Sequence, residues 1–341
     1  MLRSSTEHSD TDLLTRRSAL RGLAGMAATA FGAHPSRGAD LPDNPFSTTT
    51  EFPYLFSPLE VFVRLEQELI PENTKAKNVI GVANRIAYKV KASMHDAMLL
   101  RLPVAPKNAD ESLRILATRN ECMNIYMFIL AKEIRSEGYK YIRGSGSFHD
   151  SMVSLMQSGE WPLDCDLLCH ICLHIARHHN IPLAGMQSWG HMTLCQLKGN
   201  KVFDPSQMQT SQFIHTFEER RKEDRLSVEN GKKLEYYQPM SEKMMRQIIA
   251  ANTIFAMTDR LIEKDDLLSF ETGCKQAEKL LTTVGPSNAI IHSICYVHNY
   301  AAQAYEKRKN LSDQQKKNCA HHKDRLQEVI RQYSSLLALT K

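Results

Sequence analysis

The amino-acid sequence predicts an α+β fold, in which a central helix packs on a small antiparallel sheet, with a helical N-terminal region before it and C-terminal helix hairpins after it. Helical periodicity dominates the chain on both sides of residues 183–203, whereas this short segment contains strand-like runs. The turn signal Lys198-Gly199-Asn200 separates two of these runs and favours a hairpin. Hydrophobic residues make up 42% of the 341 residues and charged residues 24%, which is typical of a globular protein.

The charge of the chain is mild and argues against nucleic-acid binding. Lys and Arg number 43 and Asp and Glu number 38, so the formal net charge is +5. Residues 1–39 hold five Arg and three acidic residues, which leaves only +3 for the remainder. No uncharged apolar run of about 18 residues follows residue 40, so we expect no integral membrane span in the mature chain.

Residues 1–39 have the order of regions that is typical of an export signal. Arg16-Arg17 precedes an apolar run of mostly small residues, 22–33, which is too short to span a bilayer. The paired arginines resemble a bacterial twin-arginine signal, so we expect an exported, periplasmic protein that folds before export. If the segment is instead a disordered tail, the protein is cytoplasmic. Residues 40–57 contain several Pro, Ser and Thr residues and are interpreted as an extended linker.

Helical patterns follow this linker. Ser57-Pro58-Leu59-Glu60 combines a cap residue, a proline at the first helical position and an acidic residue in the first turn, which indicates a helix start. Periodicity then predicts helices at 58–70, 76–101, 109–136 and 150–157. The glycines between the last two helices predict a loop there.

The middle of the chain predicts the sheet. A helix begins at Asp164-Cys165 and ends near His179, before Asn180-Ile181-Pro182. Strand-like segments follow at Leu183–Trp189, His191–Leu197 and Lys201–Phe203. The mixed-charge run 218–225 is interpreted as a solvated helix or loop. Beyond it the periodicity predicts helices at 241–263, 266–283, 287–308 and 312–338.

Three residues of this middle segment have the types and order of a cysteine nucleophile with its base and orienter. Cys165 lies at a helix N-terminus, where the helix dipole and free N–H groups are expected to lower the thiol pKa and favour the thiolate. His191 begins one predicted strand, and Asp204 ends the next. Antiparallel pairing would place these two side by side, so that His191 removes the thiol proton and Asp204 orients the imidazole.

The residues around this constellation resemble the bacterial transglutaminase-like domain, whose fold is shared with papain-type cysteine proteases. The matching segments are Asp164-Cys165-Asp166-Leu167-Leu168, Ile175-Ala176, Asn180-Ile181-Pro182-Leu183, Gly190-His191-Met192 and Phe203-Asp204-Pro205. In that superfamily a Cys opens the central helix, a Gly-(Leu/Ile)-Pro turn leads into the strands, and His and Asp lie on neighbouring strands. Asn180 replaces the usual Gly of the turn, a mild departure because Asn tolerates the left-handed conformation.

The resemblance implies a transglutaminase-like domain over 58–235 and a helical region over 236–341. The latter resembles a degenerate tetratricopeptide-like array, although a plain helical bundle fits equally well, and either would offer a docking surface for a protein partner. The implied activity is acyl transfer on a protein or peptide substrate through a Cys165 thioester, with hydrolysis favoured over cross-linking, and without a cofactor or metal. Gln157, Gln187 or the backbone N–H of Cys165 could stabilise the oxyanion.

Three alternatives remain open from the sequence. The first is a catalytically inactive member of the fold that acts as a scaffold or binding protein. The second is an iron–sulfur site, because Cys165, Cys169 and Cys172 have the spacing of radical S-adenosylmethionine enzymes, although here they fall within a helix. The third is a metal site on His170, His174 and His178, which share a helix face, although an exposed helix face without a metal is the commoner arrangement of such histidines.

Overall fold

The computed structural model describes residues 52–99, 111–144, 147–188, 191–197, 199–210, 212–224 and 236–338. Within these residues the predicted α+β fold is confirmed, since small sheets lie among many helices. The described residues form two compact units, one of 52–188 and 192–245, and the other of 246–338 together with His191. The predicted signal and most of the linker lie outside the described residues. None of the described helices is long and apolar enough to cross a membrane.

The first helices begin and end close to their predicted bounds. They are α1 (Pro58–Leu69), α2 (Asn78–Leu99) and α3 (Glu111–Ser136). The predicted start of α1 is confirmed, because the Ser57 hydroxyl caps the helix by accepting a hydrogen bond from the Glu60 N–H. Phe62 of α1 is fully buried and packs edge-to-face on Phe148, which anchors α1 to the helix that begins at Phe148.

Two short strands flank this next helix and were not predicted. Strand β1 (Tyr139–Tyr141) precedes α4 (Phe148–Ser158), and β2 (Trp161–Leu163) follows it. The strands pair in parallel, with Tyr139 opposite Trp161. Three residues are too few to show a period, and β2 contains a proline, which usually argues against a strand. The β1–α4–β2 unit leads directly into the central helix.

The central helix and a four-stranded sheet form the core of the first unit. Helix α5 (Cys165–His178) is followed by β3 (Leu183–Ser188), β4 (His191–Gln196), β5 (Lys201–Phe203) and β6 (Ile214–Thr216). The sheet order is β3–β4–β5–β6, with antiparallel pairing of β4 with β5 and of β5 with β6. The strands that were predicted are therefore confirmed, while β6 was missed. Asn180 has a φ of 53°, as expected for a residue that replaces glycine in the turn.

Helices account for the rest of the described chain. A short helix, α6 (Phe217–Asp224), follows β6. The C-terminal helices are α7 (Glu242–Lys264), α8 (Leu267–Val284), α9 (Asn288–Glu306), α10 (Asp313–Gln332) and α11 (Ser334–Ala338). Helix α9 contacts both α8 and α10. The helices predicted from periodicity are confirmed, except that the last one is divided at Tyr333.

A buried carboxylate joins α1 to α4. Glu66 is fully buried, and its Oε2 accepts the Phe148 N–H at 2.9 Å. Its Oε1 accepts the His149 N–H at 3.1 Å and the Asn73 amide at 2.8 Å. Burial raises the pKa of Glu66 to about 7, although these donors oppose the increase. Ser147 caps α4 locally by accepting the Asp150 N–H, and Glu66 adds an acceptor for two further N–H groups at the start of this helix.

We expect Glu66→Ala to lower the free energy of unfolding by about 2–3 kcal/mol, because buried donors of α4 and Asn73 would lose their acceptor. Denaturant unfolding monitored by circular dichroism measures this loss. Glu68→Ala is the matched control, because Glu68 is an exposed residue of the same helix. Equal losses in the two variants would contradict the capping role of Glu66.

Candidate active site

Cys165 is the first residue of α5, as predicted. The Asp164 carboxylate caps this helix by accepting the Leu167 N–H at 2.9 Å. The Cys165 side chain is partly exposed, and its thiol donates to Asp166 Oδ1 at 3.5 Å. The Cys169 thiol, one turn later, donates to the Met192 carbonyl at 3.5 Å. The start of β4 therefore lies along the first turns of α5.

His191 and Asp204 occupy the strand positions that the sequence predicts. His191 begins β4, and Asp204 directly follows β5. Leu194 pairs with Phe203 in this antiparallel ladder. Continuing the same register places Thr193 opposite Asp204, and His191 lies two residues from Thr193, on the same face of β4. Cys165 and Asp204 are thus brought to the end of the sheet at which β4 begins.

Asp204 is almost completely buried and has several partners. Its Oδ1 accepts the Ser206 hydroxyl at 2.6 Å and the Ser206 N–H at 3.0 Å. Its Oδ2 lies 3.4 Å from a guanidinium nitrogen of Arg220 and 3.4 Å from the Gln207 amide. Arg220 also contacts the Ser188 hydroxyl at 3.4 Å. The interpretation of run 218–225 as solvated is therefore wrong at Arg220, which is buried because it neutralises a buried carboxylate.

The expectation of a lowered thiol pKa at Cys165 is also wrong for this environment. Burial raises the pKa of Cys165 well above its ordinary value, and the carboxylates of Asp166, Asp164 and Asp204 raise it further. The nearby Met192 backbone opposes this increase in pKa but does not reverse it. The helix N-terminus is a partial positive charge, whereas three nearby carboxylates are full negative charges. A thiolate at this position needs an additional cation beside it.

Two tyrosines of β1 flank this site and were missed by sequence reasoning. The Tyr139 hydroxyl donates to the Pro205 carbonyl at 3.3 Å, next to Asp204. Burial raises the pKa of both Tyr139 and Tyr141, and the nearby Cys165 and Asp204 add to the increase. Both side chains therefore stay neutral phenols at neutral pH. The alternating Tyr-Lys-Tyr after Gly138 is the sequence signal that could have predicted strand β1, but the glycines around it favoured a loop.

The two glutamines predicted as oxyanion donors lie in different environments. Gln157 is exposed in the last turn of α4. Gln187 is buried in β3, where its amide nitrogen donates to the Ser188 carbonyl at 3.3 Å. The Cys165 N–H has no acceptor within its own helix, as holds for the first residues of any α-helix. Of the three predicted oxyanion donors, this backbone N–H is the one that belongs to the same residue as the sulfur.

The alternatives on α5 are weakened by the structure. Cys165, Cys169 and Cys172 lie along two turns of one helix, which spreads the three sulfurs along the helix axis, whereas a cluster needs them gathered around it as on a loop. The expectation of an exposed histidine face is wrong, because His170 and His174 are buried and only His178 is exposed. His174 is hydrogen-bonded to Ser57 at 2.9 Å and to Asn84 at 3.0 Å, so its ring nitrogens are already used. All eight cysteines are free.

Comparisons of this chain with protein-family models, with curated proteins and with solved structures give no match.

Proposed function

We propose that this protein is a transglutaminase-like enzyme that transfers acyl groups through a Cys165 thioester, with His191 as base and Asp204 as orienter. The observation that carries the proposal is the hydrogen bond that the Cys169 thiol, one turn after Cys165, donates at 3.5 Å to the carbonyl of Met192, the residue next to His191. It brings the start of α5 against the start of β4. Asp204, which follows the paired strand β5, lies at the same end of the sheet.

The proposed reaction has two steps. The proton of the Cys165 thiol moves to the His191 imidazole, and the thiolate attacks an amide carbonyl to form a C–S bond. The Cys165 N–H stabilises the oxyanion, and the C–N bond breaks as His191 returns the proton to the leaving amine. Water then attacks the thioester, gives a proton to His191 and forms a C–O bond while the C–S bond breaks. The acid product leaves, and the thiol regains its proton.

The substrate class that this chemistry fits is a protein or peptide amide. Hydrolysis is favoured over cross-linking, because water is the acceptor that is always present. An amine acceptor would instead form an isopeptide bond by the same thioester. The neutral phenols of Tyr139 and Tyr141 flank the sulfur without adding charge, which suits an uncharged amide.

A second candidate function is a binding protein that keeps the fold without turnover. The raised pKa of Cys165 favours it, because a neutral thiol surrounded by three carboxylates is a poor nucleophile. The two functions differ in one property. An enzyme needs an imidazolium beside the sulfur that overcomes the effect of burial, whereas a binding protein does not.

We expect iodoacetamide to alkylate Cys165 at neutral pH at least about tenfold faster than Cys295, and His191→Gln to remove this advantage. Cys295 is a suitable internal reference, because it is the other partly exposed cysteine and burial raises its pKa to about 11. Peptide mass spectrometry of the full chain measures both rates in one sample. Circular dichroism verifies that His191→Gln leaves the fold intact.

Equal alkylation of Cys165 and Cys295, or a Cys165 rate that is unchanged in His191→Gln, would contradict the enzyme and support the binding protein. Asp204→Asn removes a carboxylate that raises the Cys165 pKa, so slower alkylation of Cys165 in this variant, with Cys295 unaffected, would support an orienting role of Asp204 toward His191. Cys165→Ser provides the blank that assigns the fast reaction to this sulfur. A reactive Cys165 would then justify assays with peptide amides in the presence and absence of amine acceptors.

A further inference from the structure

Three helices of the second unit direct metal-ligating atoms to one buried point. Cys274 lies on α8, His298 on α9 and His322 on α10. All three side chains are buried, and their ligand atoms lie within 4.8 Å of one another. It is the one such His, Cys, Asp or Glu grouping found within the part of the chain that the structure describes. Cys274 and His298 are 24 positions apart, as are His298 and His322, so no local sequence motif indicates this cluster.

The hydrogen bonds of the two histidines determine which nitrogen carries the proton. His298 Nε2 lies 3.1 Å from Glu278 Oε1, and His322 Nε2 lies 3.0 Å from Glu271 Oε1. Carboxylates only accept hydrogen bonds, so each ring nitrogen that faces one is the N–H donor. In the neutral imidazoles both Nδ1 atoms are then lone pairs. They face each other at 3.0 Å, which is repulsive unless a positive centre lies between them.

The carboxylates that orient these rings are themselves held in place. Glu278 accepts two hydrogen bonds from Arg325, at 2.7 and 2.8 Å. Glu271 accepts the Tyr305 hydroxyl at 2.6 Å. A carboxylate behind each histidine is the usual surrounding of metal-bound imidazole, because it fixes the tautomer and raises ligand basicity. Residues of neighbouring helices hold these carboxylates in place, and the carboxylates in turn fix both imidazole rings. The two Nδ1 atoms therefore point toward each other.

We propose that Cys274, His298 and His322 bind a zinc ion through one sulfur and two Nδ1 atoms. A thiolate with two imidazoles is a ligand set that suits Zn²⁺, with bonds of about 2.3 Å to sulfur and about 2.0–2.1 Å to nitrogen. A tetrahedral ion would need the sulfur about 3.5 Å from each nitrogen, so small side-chain rotations complete the site. The Cys274 proton leaves to solvent on binding. Water would fill the fourth position, and the ion would connect α8, α9 and α10.

The test uses the full chain after treatment with a chelator. We expect it to take up one equivalent of Zn²⁺, measured by elemental analysis after gel filtration, and to gain thermal stability on reloading. Co²⁺ in place of zinc should give a thiolate-to-cobalt charge-transfer band, which identifies the sulfur ligand without any variant. Cys274→Ser and His322→Gln should weaken Zn²⁺ affinity more than about a hundredfold, and Glu271→Gln by about 10–100-fold.

Matched controls are available on the same helices. Cys295→Ser on α9 and His321→Gln on α10 alter a partly exposed cysteine and an exposed histidine and should retain full zinc uptake. The proposal is wrong if the chelated chain takes up no stoichiometric Zn²⁺, in which case a shared proton joins the two imidazoles. It is equally wrong if uptake persists in Cys274→Ser and His322→Gln, or if Co²⁺ binds without the sulfur band.

Discussion

We expect the protein to lose much of its stability as the pH falls from 6.5 to 5, because several histidines are buried in neutral form. Burial lowers the pKa of His170 and His174 to about 3 and that of His179 and His292 to about 4, from an ordinary value of 6.5. Below pH 6.5 the unfolded chain binds protons at these residues, whereas the folded chain does not until the pH reaches the lowered values. Stability therefore rises with pH across this interval.

The size of this effect follows from the width of the interval. Each imidazole that binds a proton only when unfolded costs about 2 kcal/mol at pH 5, so the four together cost about 8 kcal/mol. Glu66 acts in the opposite direction, because its raised pKa of about 7 makes the folded state bind a proton first. It returns about 2 kcal/mol between pH 7 and pH 5. The remainder is comparable with the total stability of an ordinary domain.

His170 is the residue on which to test this expectation. It packs against Phe62 with ring centroids 5.2 Å apart, and neither ring nitrogen has a hydrogen-bond partner among the described residues. His170→Leu should raise the free energy of unfolding at pH 5 by at least about 2 kcal/mol and move the midpoint of acid unfolding to lower pH. Denaturant unfolding at a series of pH values from 8 to 4.5 measures both quantities.

The exposed His321 provides the control, since His321→Gln should leave the pH profile unchanged. A stability that stays flat between pH 6.5 and 5 in the unmodified chain would contradict the buried neutral histidines. A His170→Leu profile parallel to that of the unmodified chain would show that His170 already binds its proton in the folded state. The buried imidazole with no partner would then need another explanation.

We expect Arg220→Met to lower the free energy of unfolding by about 3–5 kcal/mol, because it leaves the Asp204 carboxylate buried without its cation. The two side chains are 10% and 2% exposed, so water cannot replace the guanidinium. Met has a similar length but supplies no charge and no donor for Asp204 or Ser188. Thermal and denaturant unfolding of the two proteins at neutral pH measure the difference.

Lys222→Met is the matched control on the same helix. Lys222 forms an exposed i,i+4 pair with Glu218, and the loss of such a pair costs about 0.3–0.5 kcal/mol. The double variant Asp204→Asn with Arg220→Met should recover part of the stability, because it removes the uncompensated charge. If Arg220→Met is no more destabilising than Lys222→Met, the contact between Arg220 and Asp204 contributes little to the fold.

The sequence alone predicts the elements that carry their own local signals. Ser57-Pro58 marks the start of α1, and Asp164 marks the start of α5, because a cap side chain satisfies free N–H groups within the same few residues. The long C-terminal helices follow from apolar periodicity, which extends over several turns. Cys165, His191 and Asp204 could be predicted as candidate site residues for the same reason, because each lies at the end of a helix or strand that the local sequence indicates.

Only the tertiary structure decided the surroundings of those residues. Strands β1 and β2 can be recognised only from their pairing in the structure, because three residues each are too few to show a strand periodicity. Arg220 lies in a run of mixed charges that is typical of a solvated helix, and its burial depends on Asp204, 16 positions earlier. The raised pKa of Cys165 likewise depends on carboxylates and burial that the helix position does not reveal.

The same division explains the cluster of Cys274, His298 and His322. Each residue lies on the buried face of its own helix, where a cysteine or histidine is an unremarkable core residue. The local pattern determined which face of each helix is buried, because hydrophobic periodicity is a property of neighbouring residues. Which residues meet across three helices depends on helix packing, because the contacts join positions 24 and 48 apart. That packing is the physical step that a local pattern does not contain.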